Sequence, residues 1–136
     1  MLYNKFMLDF FAKLLFPSIS GRGSVSQQTE SKIKAEWQNI DALLKQKSPS
    51  QLKQALISAD KCLDNALRDV VAGETMGERL KNAKNKFDVI TYNKIWEAHK
   101  VRNNLVHEAG YEPPYFVIQQ AVDNLKNGLI VLGLRV

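Results

Sequence analysis

From residue 29 onward the chain returns apolar residues at steps of three and four, the spacing of one helix face. Ile33, Trp37, Ile40 and Leu44 predict a first helix over about 29–47. Ser48-Pro49-Ser50-Gln51 then has the form of a capping box with proline at the first helical position. Behind it Leu52, Leu56, Ala59, Leu63, Ala66 and Val70 line a second helix over 50–72, which Gly73 should stop. Thr75-Met76-Gly77-Glu78 is another capping box and opens a helix over about 76–86. Asp88 caps a fourth, over 88–107, carrying Ile95, Ala98, Val101 and Leu105, with Gly110 just beyond its end. Glu112-Pro113-Pro114 starts a fifth, over 114–134, with Phe116, Ala121, Leu125 and Ile130 among its apolar positions. No stretch alternates with period two and no segment repeats, so no strand is expected. The fold class is all-α, an antiparallel bundle of four or five helices joined by short loops.

Ahead of this helical domain (29–136) lie an apolar leader (1–16) and a linker (17–28). Met7, Phe10, Phe11, Leu14 and Leu15 form one stripe, interrupted by Asp9 and Lys13 and ended by Pro17. A spanning helix needs roughly 20 apolar residues, more than this segment offers. Asp9 also falls where a signal peptide keeps its uninterrupted apolar run, and no small-x-small cleavage site follows. Two readings stay open. The leader docks on a membrane surface or a partner, or it packs on its own domain or is the remnant of a longer leader. Pro17 to Ser24 is small, polar and glycine-rich, as a linker should be.

With 136 residues the chain suits one domain with a single core. Its 19 Lys and Arg against 14 Asp and Glu leave a formal charge of +5. That balance favours a polyanionic partner or an acidic membrane surface over an acidic protein. Cys62 is the only cysteine, which excludes an internal disulfide and any cysteine-rich zinc site. Set among Leu56, Ala59, Leu63 and Ala66, it should be a small buried hydrophobe in a reducing interior. The expected location is cytoplasmic, or peripheral at a membrane.

Chemistry concentrates on the fourth helix, which holds both histidines. Arg102-Asn103-Asn104-Leu105-Val106-His107 is an Arg-x4-His spacing late on an amphipathic helix, a weak signal until its context is added. On a regular helix Arg102 and His107 lie about 140° apart. They converge on one phosphate only if the last turn unwinds or two subunits each contribute. His99, Asn103 and His107 are better aligned, each one turn from the next. A shared metal is not expected, because about 12 Å of helix separates the two histidines.

The string Trp96-Glu97-Ala98-His99-Lys100-Val101-Arg102-Asn103-Asn104-Leu105-Val106-His107-Glu108 resembles the motif helix of the HEPN domains (higher eukaryotes and prokaryotes nucleotide-binding). Ala59-Asp60-Lys61 with Leu63-Asp64, and Gly73 to Leu80, are similar to segments that precede that helix in bacterial HEPN-like proteins. The resemblance covers about Thr29 to Leu134. It implies a small helical bundle, a homodimer, RNA as partner and metal-independent RNA cleavage with no cofactor. It also implies the site residues: His107 as proton shuttle, Arg102 on the phosphate, and Asn103 orienting phosphate or histidine. In toxin-like members it implies an antitoxin-like partner protein as well. The subgroup silenced by adenylylation carries a tyrosine two residues after the motif histidine. Here that position is Ala109 and the nearest tyrosine is Tyr111, which argues against that kind of partner.

The chemistry suits the residue types. RNA brings its own nucleophile, the 2′-OH, so a cleaving site needs proton transfer and anion stabilisation. Histidine exchanges protons near neutrality, and the arginine fork matches a phosphate. Plainer roles remain open beside these. Arg102 could pair with Glu97 or Glu108, His107 could cap the helix, and His99 could be a hydrogen-bonded interface residue. The lysines at 81, 84, 86, 94 and 100 fit an approach for RNA or ordinary solvated faces. Trp37 and Trp96 sit at core spacing. The rival to a ribonuclease is a non-catalytic helical interaction module, attached to a membrane by its leader; a structural subunit of a larger complex is a third.

Overall fold

The computed structural model describes residues 23–136, so the expected leader and the first half of the linker lie outside the described residues. Five α-helices follow one another: α1 (Gln27–Gln46), α2 (Pro49–Val70), α3 (Met76–Asn82), α4 (Val89–His107) and α5 (Tyr115–Val131). No strand occurs among the described residues, and the architecture is an all-helical bundle. The described end of the linker already belongs to the domain. Val25 packs against the core, and the Ser26 backbone N–H donates to Asp69 at 2.9 Å. The Ser26 hydroxyl accepts from the Thr29 N–H, so α1 starts two residues before the expected position.

α2 is the central element, packed against α1 and α5, while α5 also packs against α4. Ile33, Trp37, Ile40 and Leu44 of α1 are all buried, as are Leu52, Leu56, Ala59, Leu63, Ala66 and Val70 of α2. α4 contributes Ile95, Ala98 and Leu105, whereas Val101 is only partly buried. On α5 the buried set is Ile118, Ala121, Val122, Leu125 and Leu129. Phe116 and Ile130 instead face solvent, 65% and 49% exposed, because they lie on the outer side of that helix. Gly128 lets α4 and α5 close on each other. A Cβ there would lie 2.9 Å from Cδ1 of the fully buried Ile95.

The helix ends follow local chemistry. Thr75 and Asp88 cap α3 and α4, accepting from the backbone N–H groups of Glu78 and Thr91. The Thr91 N–H holds the Asp88 carboxyl below its usual value, so this cap weakens as pH falls and the carboxyl protonates. Ser48 departs from the capping-box form: its hydroxyl donates to the Gln51 side chain at 2.6 Å and makes no bond to the helix backbone. α2 ends at Val70, ahead of Gly73. The third helix is also shorter than expected, breaking at Ala83 and continuing as a 3-10 turn, Lys84–Lys86.

α3 is fastened to α2 by Arg79, which is only 5% exposed. Its Nε and Nη2 donate to the two oxygens of Asp64 at 2.7 and 3.0 Å, and its Nη1 donates to the Gly73 carbonyl at 2.7 Å. A charge this deep is tolerable because most of its donors are satisfied by one carboxylate and one carbonyl. Among the described residues no helix is long and apolar enough to cross a membrane.

Candidate functional site

Asp60 lies on α2 between Leu56 and Leu63, in the middle of an apolar stripe, and is 3% exposed. A carboxylate so placed requires partners that carry hydrogen or charge. α4 supplies both. His99 Nδ1 lies 3.0 and 3.2 Å from the two Asp60 oxygens, and Arg102 Nε lies 3.5 Å from Oδ2. Arg102 Nη1 donates to Asn103 Oδ1 at 2.9 Å. Arg102 is thus drawn back toward α2, one turn of helix from His99, and pairs with neither Glu97 nor Glu108. Its Nε is buried at an ionic rather than hydrogen-bonding distance, without a hydrogen-bond partner.

The carboxylate also decides which face His99 presents. With Nδ1 directed at Asp60, Nε2 is the nitrogen turned away from the carboxylate. The ring stands edge-on to Trp96 at 5.9 Å, and Trp96 stands edge-on to Tyr92 at 6.4 Å. This row of aromatic side chains, partly buried along one flank of α4, restricts the imidazole further. Trp37 is a core residue, whereas Trp96 is a flank residue only partly covered.

His107 stands apart from this cluster. α4 stays helical through His107, and the next residue, Glu108, closes it by donating its N–H to the Asn104 carbonyl. The last turn therefore does not unwind, and Arg102 and His107 keep their separation of about 140° around the helix. The cap position is taken by Glu108 rather than His107. His107 is exposed and borders a cleft of about 700 Å³ where the α1–α2 corner meets the α4–α5 loop. Lys47, Lys53, Tyr111 and Tyr115 line the same cleft, with the Lys47 ammonium 5.3 Å from the centre of the Tyr115 ring. Gly110, at φ 83°, makes the turn that follows.

Of the three residues expected at the site, Arg102 and Asn103 are brought together and His107 is held one turn further along α4. The partner that the sequence reading did not assign is Asp60. Its signal was a lone acidic residue at an inward position of α2. Cys62 is buried, and burial pushes its thiol up to about 12, so it stays protonated and inert. Lys81, Lys84, Lys94 and Lys100 are exposed, and Lys86 is partly buried. Among the described residues no three His, Cys, Asp or Glu side chains converge as ligands for a metal ion. Compared with family models, curated proteins and solved structures, the chain finds no match.

Proposed function

We propose that this chain is a HEPN-type RNA-binding domain and metal-independent endoribonuclease that works as a homodimer. The observation that carries the reading is the way a buried carboxylate, Asp60, orients the motif arginine beside Asn103 on α4. A buried polar cluster of this kind is costly to keep, and it lies where the Arg-x4-His spacing needs a fixed arginine. Arg102 holds the phosphate and Asn103 steadies the guanidinium. His107, exposed one turn beyond, moves the proton. Because the two motif residues diverge around one helix, a working site draws on two chains related by a twofold axis. An antitoxin that modifies a tyrosine two residues past the histidine has no target here, since position 109 is an exposed alanine. That regulation is not part of the proposal.

A second reading, a non-catalytic interaction module, is favoured by the exposed Val89, Ile90, Phe116 and Val131. Two measurements separate them. Light scattering at tens of micromolar should give the mass of a dimer. An RNA with a single deoxyribose at the cut site should bind with the same salt dependence as the parent RNA but resist cleavage, having lost the internal nucleophile. A chain that is monomeric and binds no RNA supports the interaction module instead.

A further inference from the structure

The cleft at the end of the bundle, about 700 Å³, is of a size that takes a small organic group. Its charged lining comes from two directions. Lys47 and Lys53 reach it from the corner between α1 and α2, and Glu108 and Glu112 from the loop between α4 and α5. Tyr111 and Tyr115 line it as well. Tyr115 is 40% exposed, and the Lys47 ammonium stands 5.3 Å from the centre of its ring, so one face of that ring is open to an incoming group. An occupant matched to this lining has a flat ring for the tyrosines, an anion for the lysines and hydrogen-bond donors for the carboxylates. A nucleotide has all three. An aromatic acid lacks the donors, and a simple anion lacks the ring. We infer that the cleft seats one unpaired nucleotide of an RNA strand, with its base on Tyr115, its phosphate at Lys47 and Lys53, and its base edge toward Glu108 and Glu112. The choice of a strand over a free nucleotide rests on the RNA-cleaving reading above, because His107 borders the same cleft.

The seat selects its strand in two ways. A base inside a duplex is stacked and paired on both sides, so only an unpaired base reaches an aromatic ring. The carboxylates then favour guanine, whose pairing edge carries an imino and an amino donor, over uracil, which carries an imino donor alone. Lys47 gives up the ring for the phosphate when the base arrives, a small loss for a cation at an exposed site. None of these side chains belongs to the Arg-x4-His spacing. The cleft therefore sets which nucleotide lies beside His107, and the motif acts on the bond.

Binding is read without cleavage on a short oligouridine with one central guanosine, methylated at every 2′-oxygen so that it has no nucleophile. By fluorescence anisotropy the full chain should hold it more tightly than the all-uridine strand, and pairing it with its complement should remove the advantage. Tyr115→Ala should weaken binding by roughly 10- to 100-fold, the usual worth of one base stacked on an aromatic ring. Tyr115→Phe keeps the ring and should bind as the parent does. Tyr115 is exposed at the start of α5, so circular dichroism should show both variants folded. Changing Lys47 and Lys53 together to alanine should flatten the salt dependence, because phosphate contacts are lost. Parent-like binding in Tyr115→Ala, equal loss in Tyr115→Phe, or no preference for guanosine or for the single strand overturns the seat. Guanosine monophosphate held as tightly as the strand, with the same loss in Tyr115→Ala, overturns the strand as occupant. Unmethylated RNA cut by a Tyr115→Ala variant whose binding is unchanged overturns the seat and leaves the ribonuclease reading standing. Loss of the strand in Tyr115→Ala, from a parent that never cuts unmethylated RNA, supports the seat and overturns the ribonuclease reading instead.

Discussion

Changing His107 to alanine should slow RNA cleavage by roughly 10²–10⁴, the usual worth of a positioned proton-transfer group. The loss should fall on turnover and leave binding in place, because phosphate contacts dominate affinity for RNA. The variant should fold as the parent does. His107 is exposed in the last turn of α4, and the helix is closed by the Glu108 N–H rather than by the histidine side chain. Arg102→Lys completes the argument from the other side. Lysine keeps the charge but not the planar fork, so it cannot bond a phosphate with paired donors while also reaching Asn103 Oδ1. Cleavage should fall in this variant too, with the salt dependence of binding unchanged. Cleavage at the parent rate in His107→Ala would remove the histidine from the mechanism.

Arg79→Ala should cost about 3 kcal/mol of stability, near the lower end for breaking a buried pair by removing one partner. The guanidinium gives two hydrogen bonds to Asp64 and one to the Gly73 carbonyl, so its removal leaves both acceptors unmatched. Asp64 keeps only the longer contact to Arg68 at 3.6 Å, on the solvent side. In a chain of this size the midpoint of thermal unfolding should fall by roughly 10 °C, measured by circular dichroism at 222 nm. Arg79→Lys should fall between the two, since one ammonium cannot meet both oxygens and the carbonyl. Unfolding at the parent temperature would show that α3 is held by its apolar contacts, Met76 and Leu80, and not by the ion pair.

The order of the helices and the inner faces of α1 and α2 were legible from spacing alone, because those helices bury one stripe and solvate the other. Thr75 and Asp88 were legible as caps for a local reason: the side chain and the amide it accepts from lie three residues apart. Two kinds of feature were not legible. The first is where a helix is exposed in spite of its apolar residues, as at Phe116 and Ile130, since spacing does not say how wide a face its neighbours cover. The second is pairing across the bundle. Glu97 and Glu108 were near Arg102 in sequence, whereas the carboxylate that holds it is 42 residues away on α2. Only the antiparallel packing of α2 and α4 brings Asp60 to His99 and Arg102. The Arg-x4-His spacing could be read from the chain; the group that orients the arginine could not.

The central claim is that this bundle cuts RNA through the 2′-OH with Arg102 and His107. It is tested most directly by incubating the purified full chain with mixed RNA in EDTA and identifying the new ends. The account predicts cleavage that persists without divalent metal and leaves 2′,3′-cyclic phosphate on one fragment and 5′-OH on the other. RNA bound but left intact across varied substrates and pH, or ends bearing a 5′-phosphate, would contradict it.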